Sequence, residues 1–274
     1  MVRGLNTTAI YPKVLTGKNR SQLPLCKPLS SNIGVTSLHT QSYTCRWAER
    51  AQEVLALLEG RVALEGKTIL DLGCGPAPIS EGFRHLSPFL VGLDRDKRYL
   101  RKAKESASLE LVLGDATSLP FRDQSFEFVL CNDVLEHVRD HAKLTQELFR
   151  ILARGGATYV QCSNKCQIIE PHFLLPFLSW VPCPLADIYV KVTRRGESYK
   201  GYFPKTRRSV LALTGTHRTV DLTYERTLMK IKNLSIQSNS LRKIVSMARR
   251  ILSDELIARL SQNFSIISIL VLKD

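Results

Sequence analysis

From residue 67 to residue 161, short apolar runs alternate with stretches whose apolar residues recur every three or four positions. The first kind reads as buried strands and the second as amphipathic helices. Strands are expected at Lys67–Leu70, Phe89–Leu93, Glu110–Leu113, Phe126–Cys131 and Ala157–Gln161. Between them, helices are expected at Ile79–His85, Lys97–Lys104 and Val138–Leu152. Repeated strand–helix units joined by short turns predict an α/β fold with a parallel, doubly wound sheet. Right-handed crossovers then bring all the strand carboxyl ends to one edge, where ligands bind. Asp71, Asp94, Asp115 and Asn132 each stand at such an end, so four polar side chains are expected to converge on one rim.

Upstream, Trp47, Ala51, Val54, Leu55 and Leu58 fall on one helical face, and Gly60 supplies the stop. This predicts a helix over Arg46–Leu58, packed across the mouth of the first turn. Residues 1–45 hold five Lys/Arg and no acid. That composition fits a basic, flexible arm, or else an organellar transit peptide.

The first turn, Leu72-Gly73-Cys74-Gly75-Pro76-Ala77, is rich in glycine and leads into a helix. Such a unit brings backbone N–H groups up to a small ligand. A dinucleotide fingerprint places a pyrophosphate there. Asp71 would repel a pyrophosphate and attract an ammonium or sulfonium group instead. Its other reading is a helix-capping carboxylate. Asp94 lies about twenty residues beyond the turn, where an acid accepts from ribose hydroxyls, with Arg95 beside it. The alternative for Asp94 is an N-cap for the next helix. Asp115 followed by the small Ala116 suits an adenine ring and its amine; an Asx turn is the competing role.

Composition narrows the class. The chain has 274 residues, 44% hydrophobic and 23% charged, which suits one large globular core with an added lobe. No apolar stretch is long and clean enough to cross a bilayer; Ile168 to Pro184 is broken by Glu170, His172 and four prolines. The seven cysteines show no zinc-ligand spacing, so no metal is expected and the thiols read as reduced, in a cytoplasmic setting. The net charge of +14 is concentrated late, with fifteen Lys/Arg against three Asp/Glu from Lys191 to Arg250. An anionic substrate, an anionic membrane surface or a nucleic acid would suit that half, as would a merely solvated basic surface.

In order and spacing these motifs resemble a class I S-adenosylmethionine-dependent methyltransferase of the methyltransferase type 11 group. The matching pieces are Ile69-Leu70-Asp71-Leu72-Gly73-Cys74-Gly75, Val91-Gly92-Leu93-Asp94, Gly114-Asp115-Ala116, Asn132-Asp133-Val134-Leu135-Glu136-His137 and Leu152-Ala153-Arg154-Gly155-Gly156. They cover about residues 65–162. The resemblance implies a seven-stranded Rossmann-like sheet, with an antiparallel last strand at Phe264–Leu272 and a sixth strand near Arg218–Leu222. It implies S-adenosyl-L-methionine as cofactor, with Gly73 and Gly75 at its methionine part, Asp94 at the ribose, and Asp115 with Ala116 at the adenine. The third glycine of the usual turn is replaced by Ala77.

Residues 164–205 are too long for a plain connection and carry Trp180, Tyr189, Tyr199 and Tyr202. A helical lid after the fifth strand, bearing an apolar or aromatic acceptor pocket, is expected; aromatic packing of an ordinary insertion is the alternative. Residues 206–274 complete the sheet and include a largely helical stretch, Leu241–Leu260. It is expected to pack through a broad face of Ile244, Met247, Ala248, Ile251, Leu252, Leu256 and Leu260. In-line displacement requires the acceptor about 3 Å from the methyl group and exclusion of water. Asp133, Glu136, His137 and His172 are candidate proton acceptors, and His137 is preferred because imidazole titrates near neutrality. The implied reaction is methyl transfer to a small-molecule or lipid-like acceptor. An RNA methyltransferase is the alternative suggested by charge, although Asn132-Asp133-Val134-Leu135 lacks the Asn/Asp-Pro-Pro-Tyr pattern of amino-methylating enzymes. A non-catalytic cofactor-binding scaffold and a nicotinamide-dependent oxidoreductase are the other rivals, the latter opposed by Asp71 and Ala77.

Overall fold

The computed structural model describes residues 35–106, 109–233 and 239–273, with side chains from residue 47 onward except 106–108 and 234–241. Expectations for residues 1–34 lie outside the described residues. Helix α1 spans Val35–Leu58. It starts well before the expected Arg46, since no Gly or Pro interrupts it, and Gly60 ends the helical run at φ +70°. Strand β1 is Thr68–Leu72, followed by a short helix α2, Ser80–Phe83. Next come β2 (Phe89–Asp94), α3 (Lys97–Ser106), β3 (Glu110–Leu113) and β4 (Phe126–Asn132). A single 3-10 turn, Leu135–His137, precedes α4 (His141–Ile151). The expected helix start at Val138 is displaced because Asp140 caps α4, its carboxylate accepting from Lys143 N at 3.0 Å. Strand β5 runs Leu152–Cys162. It is longer than expected, with a register shift opposite β4 where Gly155 takes φ +70°.

The insertion contains the two-residue strands β6 (Ile169–Glu170) and β7 (Leu175–Pro176), a 3-10 turn Leu178–Trp180, and α5 (Cys183–Val192). The remainder is α6 (Arg207–Leu213), β8 (Arg218–Asp221), α7 (Thr223–Lys232), α8 (Asn239–Ala248), α9 (Asp254–Ser261) and β9 (Ile267–Leu272).

The seven-stranded sheet has the order β3-β2-β1-β4-β5-β9-β8. Strands β1 to β5 pair in parallel, and β9 lies antiparallel between β5 and β8. The sheet is therefore mostly parallel and doubly wound, as expected. Both of its faces are covered, which explains the unbroken apolar runs of its strands. On one face Leu70, Val129 and Cys131 meet Leu144, Leu148 and Ile151 of α4. On the other Ile69, Phe128 and Tyr159 meet Ala51, Val54 and Leu58 of α1. Each such side chain stabilises the fold by about 1.5–3 kcal/mol on burial. Because β1 is flanked by β2 on one side and β4 on the other, its carboxyl end is the switch point where a ligand crevice opens.

The stretch expected as one packing helix at Leu241–Leu260 is two helices. Val245, Ala248, Leu252 and Ile257 pack inward, against Ile231 of α7. Ile244, Met247, Ile251, Leu256 and Leu260 are exposed. Apolar residues occur on more than one side of this stretch, so periodicity alone does not select the buried set.

Candidate active site

The glycine turn is built by hydrogen bonds from its own backbone. Gly73 N and Cys74 N both donate to Leu93 O, at 2.7 and 3.0 Å, tying the turn to β2. Gly73 has φ +72°, and a Cβ there would collide with Val134 Cγ2 beyond the end of β4. Gly75 has φ +56° and nothing within 4 Å of where its Cβ would stand. One glycine is thus required by close packing, and the other borders open space. Ala77, in the position of the third glycine, is left-handed at φ +59° and packs its methyl with Cys74 and Ala103.

Asp94 is half-buried at the end of β2. Its Oδ2 accepts from Gly75 N at 2.9 Å and its Oδ1 from Asp96 N at 2.7 Å. It is not the cap of α3; Asp96 takes that role by accepting from Arg98 N at 2.8 Å. Each Asp94 oxygen keeps a lone pair for further donors. Arg95 is exposed next to it, and its charge reaches both Asp115 and His137. Asp115 forms the Asx turn: Oδ1 accepts from Thr117 N and Thr117 Oγ1, each at 2.7 Å. These bonds hold its carboxyl below the usual range. Ala116 packs against the core beside it.

Asp71 departs from the expectation. It lies within β1 rather than at an open end, is buried, and accepts from Ser80 Oγ at the start of α2. Burial, with a smaller contribution from Asp94, pushes its carboxyl up to about 7 against the effect of Ser80. It therefore ties α2 to the sheet, and Asp94 is the more exposed acid beside the turn.

Across the crevice, at the end of β4, Asn132 is buried. Its Nδ2 donates to Asp133 Oδ2 at 3.2 Å. Its Oδ1 finds no hydrogen-bond partner among the described residues. Asp133 has φ +56°; its Oδ2 accepts from Arg50 of α1 at 2.6 Å and its Oδ1 from Gln161 Nε2 at 3.2 Å. Burial alone would raise this carboxyl, but Arg50 and Gln161 outweigh it and hold it ionised. That saturation removes Asp133 from the candidate bases. Gly75 borders open space, Asp94 keeps spare lone pairs and the buried Asn132 oxygen is unpartnered among the described residues. This arrangement at the ends of β1, β2 and β4 is compatible with donors carried by an adenosine-bearing cation.

The insertion folds back onto this edge. Phe203 N donates to Glu136 O at 2.7 Å, and Tyr202 OH meets Ser163 Oγ at 2.9 Å. Glu136 is fully buried; Oε1 accepts from Ser163 N at 3.0 Å, while Oε2 has no partner among the described residues. Burial, reinforced by Asp133, pushes its carboxyl up to about 7. Glu170 Oε2 accepts from His172 N and Phe173 N at 2.8 and 2.7 Å, and Oε1 lies 2.9 Å from His172 Nδ1. Tyr202 OH also contacts His172 Nδ1.

The rings of His137 and His172 meet edge-on, with centroids 5.4 Å apart, and Tyr202 packs on both. Their imidazoles are driven in opposite directions. Burial and then His172 push His137 down. Burial opposes the charge on His172, but Glu170 outweighs it and raises that imidazole. The sequence pointed to His137 and His172, and to Tyr202 as a lid aromatic, but not to Arg50, Ser163 or Glu170. The only local signal was the Glu-x-His spacing of Glu170 and His172.

Residues 70–160 match a family described as a methyltransferase domain. A Mycolicibacterium smegmatis protein named "Probable S-adenosylmethionine-dependent methyltransferase" is 27% identical over 150 residues, 54% of this chain and 56% of that protein. The demethylmenaquinone methyltransferase of Staphylococcus saprophyticus is 30% identical over 135 residues, 46% of this chain and 54% of that one. The chain thus spans about half the length of the curated relatives it matches. Among solved structures, a SAM-dependent methyltransferase from Thermotoga maritima aligns with a TM-score of 0.51 and 16% identity. That alignment covers 88% of this chain and 96% of the other, a likeness of fold.

Proposed function

We propose, from the premise that residues 70–160 form a class I S-adenosylmethionine-dependent methyltransferase domain, that this protein methylates a small-molecule or lipid-like acceptor held beneath the 164–205 insertion. The observation that carries the reading is the return of that insertion to the strand edge through Phe203 and Glu136. Tyr202 thereby meets Ser163, His137 and His172 at that edge, while Phe173 and Tyr199 pack with it inside the lobe. An apolar lobe over the strand edge suits an apolar or aromatic molecule. The relative from Staphylococcus saprophyticus is named a demethylmenaquinone methyltransferase, which agrees with such an acceptor.

When bound, S-adenosylmethionine supplies a methyl group made electrophilic by its sulfonium. The backbone at Gly73 and Gly75 would border its methionine part, with Asn132 Oδ1 accepting from the ammonium. Asp94 would accept from the ribose hydroxyls. Asp115, with Ala116 and the exposed Arg95, would border the adenine. His137, kept neutral by burial and by His172, accepts the proton of an acceptor hydroxyl. Glu170 holds His172 through Nδ1 and raises its imidazole, while burial and His172 lower that of His137. The insertion excludes water from the crevice.

Among the described residues no helix is long and apolar enough to cross a membrane. All five described cysteines are free; we place the protein in the reducing cytoplasm.

The test is incubation of the protein with tritiated S-adenosylmethionine and separate lipid, metabolite and RNA fractions of a cell extract. Label in the lipid or metabolite fraction is the expected result. Label in RNA assigns the crevice to a nucleic acid instead. No label in any fraction, with S-adenosylhomocysteine still raising the melting temperature, leaves a cofactor-binding scaffold and overturns the reading.

A further inference from the structure

The insertion is apolar on both of its sides. Inside, Leu175, Leu178, Ala186 and Val190 form a closed cluster with Tyr199 and Tyr202. Outside, Leu174, Phe177 and Trp180 of the hairpin region, and Leu185, Ile188 and Val192 of α5, stand in water. Leu185, Ile188 and Val192 follow the i, i+3, i+7 spacing of one helix face, and Val192 is 76% exposed. Phe177 and Trp180 meet edge to face with centroids 5.1 Å apart. The 3-10 turn bearing Trp180 and helix α5 share the buried contacts of Leu178 with Ala186 and Val190, so the two outward sets belong to one packed lobe. Scattered exposed leucines need no explanation; six large apolar side chains on a segment of nineteen residues do.

Two features show that this face is held outward. Leu174 and Phe177 adopt φ +55° and +56°, a left-handed backbone that bulky residues rarely take, and both present their side chains to solvent. Trp180 donates its indole N–H to Gln167 O at 3.1 Å, which fixes the ring while half of it stays exposed. An aromatic ring with one anchored polar edge is suited to a water–lipid boundary.

The charge beside the face is of one sign. Arg194, Arg195 and Lys200 are exposed around the carboxyl end of α5, beside Lys191, which pairs with Asp187. Of the neighbouring acids, Asp187 is buried and engaged by Lys191, Ser198 and Tyr199 N. Only Glu197 offers exposed negative charge there. An apolar helix face flanked by cations matches the surface of a bilayer containing anionic lipids. A two-fold contact with a second copy would bring this apolar face together with two equal sets of cations.

We propose that the outer face of the 164–205 insertion docks on an anionic phospholipid bilayer, with Phe177, Trp180, Leu185, Ile188 and Val192 entering the interface. Docking would set the insertion that folds back onto the strand edge against the membrane. A lipid-soluble acceptor would then enter from the bilayer; that clause alone rests on the methyl-transfer reading. The exposed apolar side chains of the Leu241–Leu260 stretch are not the surface chosen. Arg249 of that stretch is paired with Asp254 and its Lys232 neighbour with Glu255.

The test is co-sedimentation of the full chain with vesicles of phosphatidylcholine alone or mixed with anionic phosphatidylglycerol. Binding to the mixed vesicles, weaker by about tenfold or more on neutral vesicles and falling with salt, is expected. Tryptophan emission should shift to the blue on binding, and the shift should vanish in Trp180→Phe. The double variant Ile188→Asp with Val192→Asp should lose binding by about tenfold or more while keeping its affinity for S-adenosylhomocysteine. Ile251→Asp, in the turn after α8, should bind vesicles like the wild type. The proposal is overturned if neither vesicle is bound, or if the double variant binds unchanged. It is also overturned if Ile251→Asp alone abolishes binding, or if light scattering shows a dimer that the double variant dissolves. None of these readings uses turnover, so failure of the methyl-transfer assay leaves them intact.

Discussion

Arg50 of α1 places Nη2 2.6 Å from Oδ2 of Asp133, a residue 83 positions further along the chain. Asp133 holds a left-handed backbone at φ +56° and receives Gln161 Nε2 on its other oxygen. The guanidinium also stacks over Trp47, 5.0 Å from the ring centroid. One cation therefore joins α1 to the end of β4 and fixes the carboxylate next to Asn132.

Arg50→Ala leaves a partly buried carboxylate with amide donors only. A loss of about 1–3 kcal/mol of stability is expected, measured by urea unfolding. Asp133 should then titrate at a higher pH than in the wild type, as read by carboxyl NMR. An Asp133 titration identical to the wild type would show that the guanidinium is not what holds it ionised.

Gly73→Ala and Gly75→Ala should fail differently. At Gly73 the added methyl combines a left-handed φ with a collision on Val134, so thermal stability should fall by about 2–4 kcal/mol. Val134→Ala in the same chain should restore part of it. At Gly75 there is space, and stability should fall by only about 1–2 kcal/mol. Affinity for S-adenosylhomocysteine, measured by calorimetry, should nevertheless drop in Gly75→Ala if the crevice holds the cofactor there.

Asp94→Ala removes the acceptor of two backbone N–H groups and one rim charge. Hydrogen bonds to a charged group contribute about 1.5–3 kcal/mol each, so cofactor affinity should fall by about tenfold or more. Asp94→Asn, which keeps one acceptor oxygen, should lose less. Equal affinities in all three proteins would move the ribose away from β2.

Glu136→Gln should change the pH profile of stability. The folded carboxyl is raised to about 7, above its ordinary value of 4.5, so the native state holds a proton that the unfolded chain has released. That relation makes the wild type lose stability as pH rises from about 4.5 through 7. A neutral amide carries no such loss. The variant should match the wild type near pH 5 and exceed it near pH 8 by on the order of 2 kcal/mol. Denaturant titrations at the two pH values decide it, and a variant less stable at both would show that ionised Glu136 is paired.

Much of the fold was legible because each parallel strand is buried on both faces and ends abruptly at a polar residue. A run such as Phe126–Cys131 followed by Asn132-Asp133 reads as strand and rim in one glance. The structure places Asp94, Asp115 and Asn132 at those ends. It also shows β9 antiparallel near the stretch expected for a last strand. Asp71 was legible as an acid of the first strand but not in its burial or its partner, because both are set by how α2 packs on β1.

By itself the sequence determined the alternation of elements, the glycine turn and the identity of the acids on the strand ends. These depend on residues close in the chain, where periodicity and turn chemistry act. Only the tertiary structure decided that Arg50 neutralises Asp133, that Glu170 and Tyr202 grip His172, and that His137 is left the neutral imidazole. It also decided which apolar side of α5 faces water. Charge state and exposure are set by groups brought together from distant positions, and α5, apolar on more than one side, gives its own sequence no means of choosing between them.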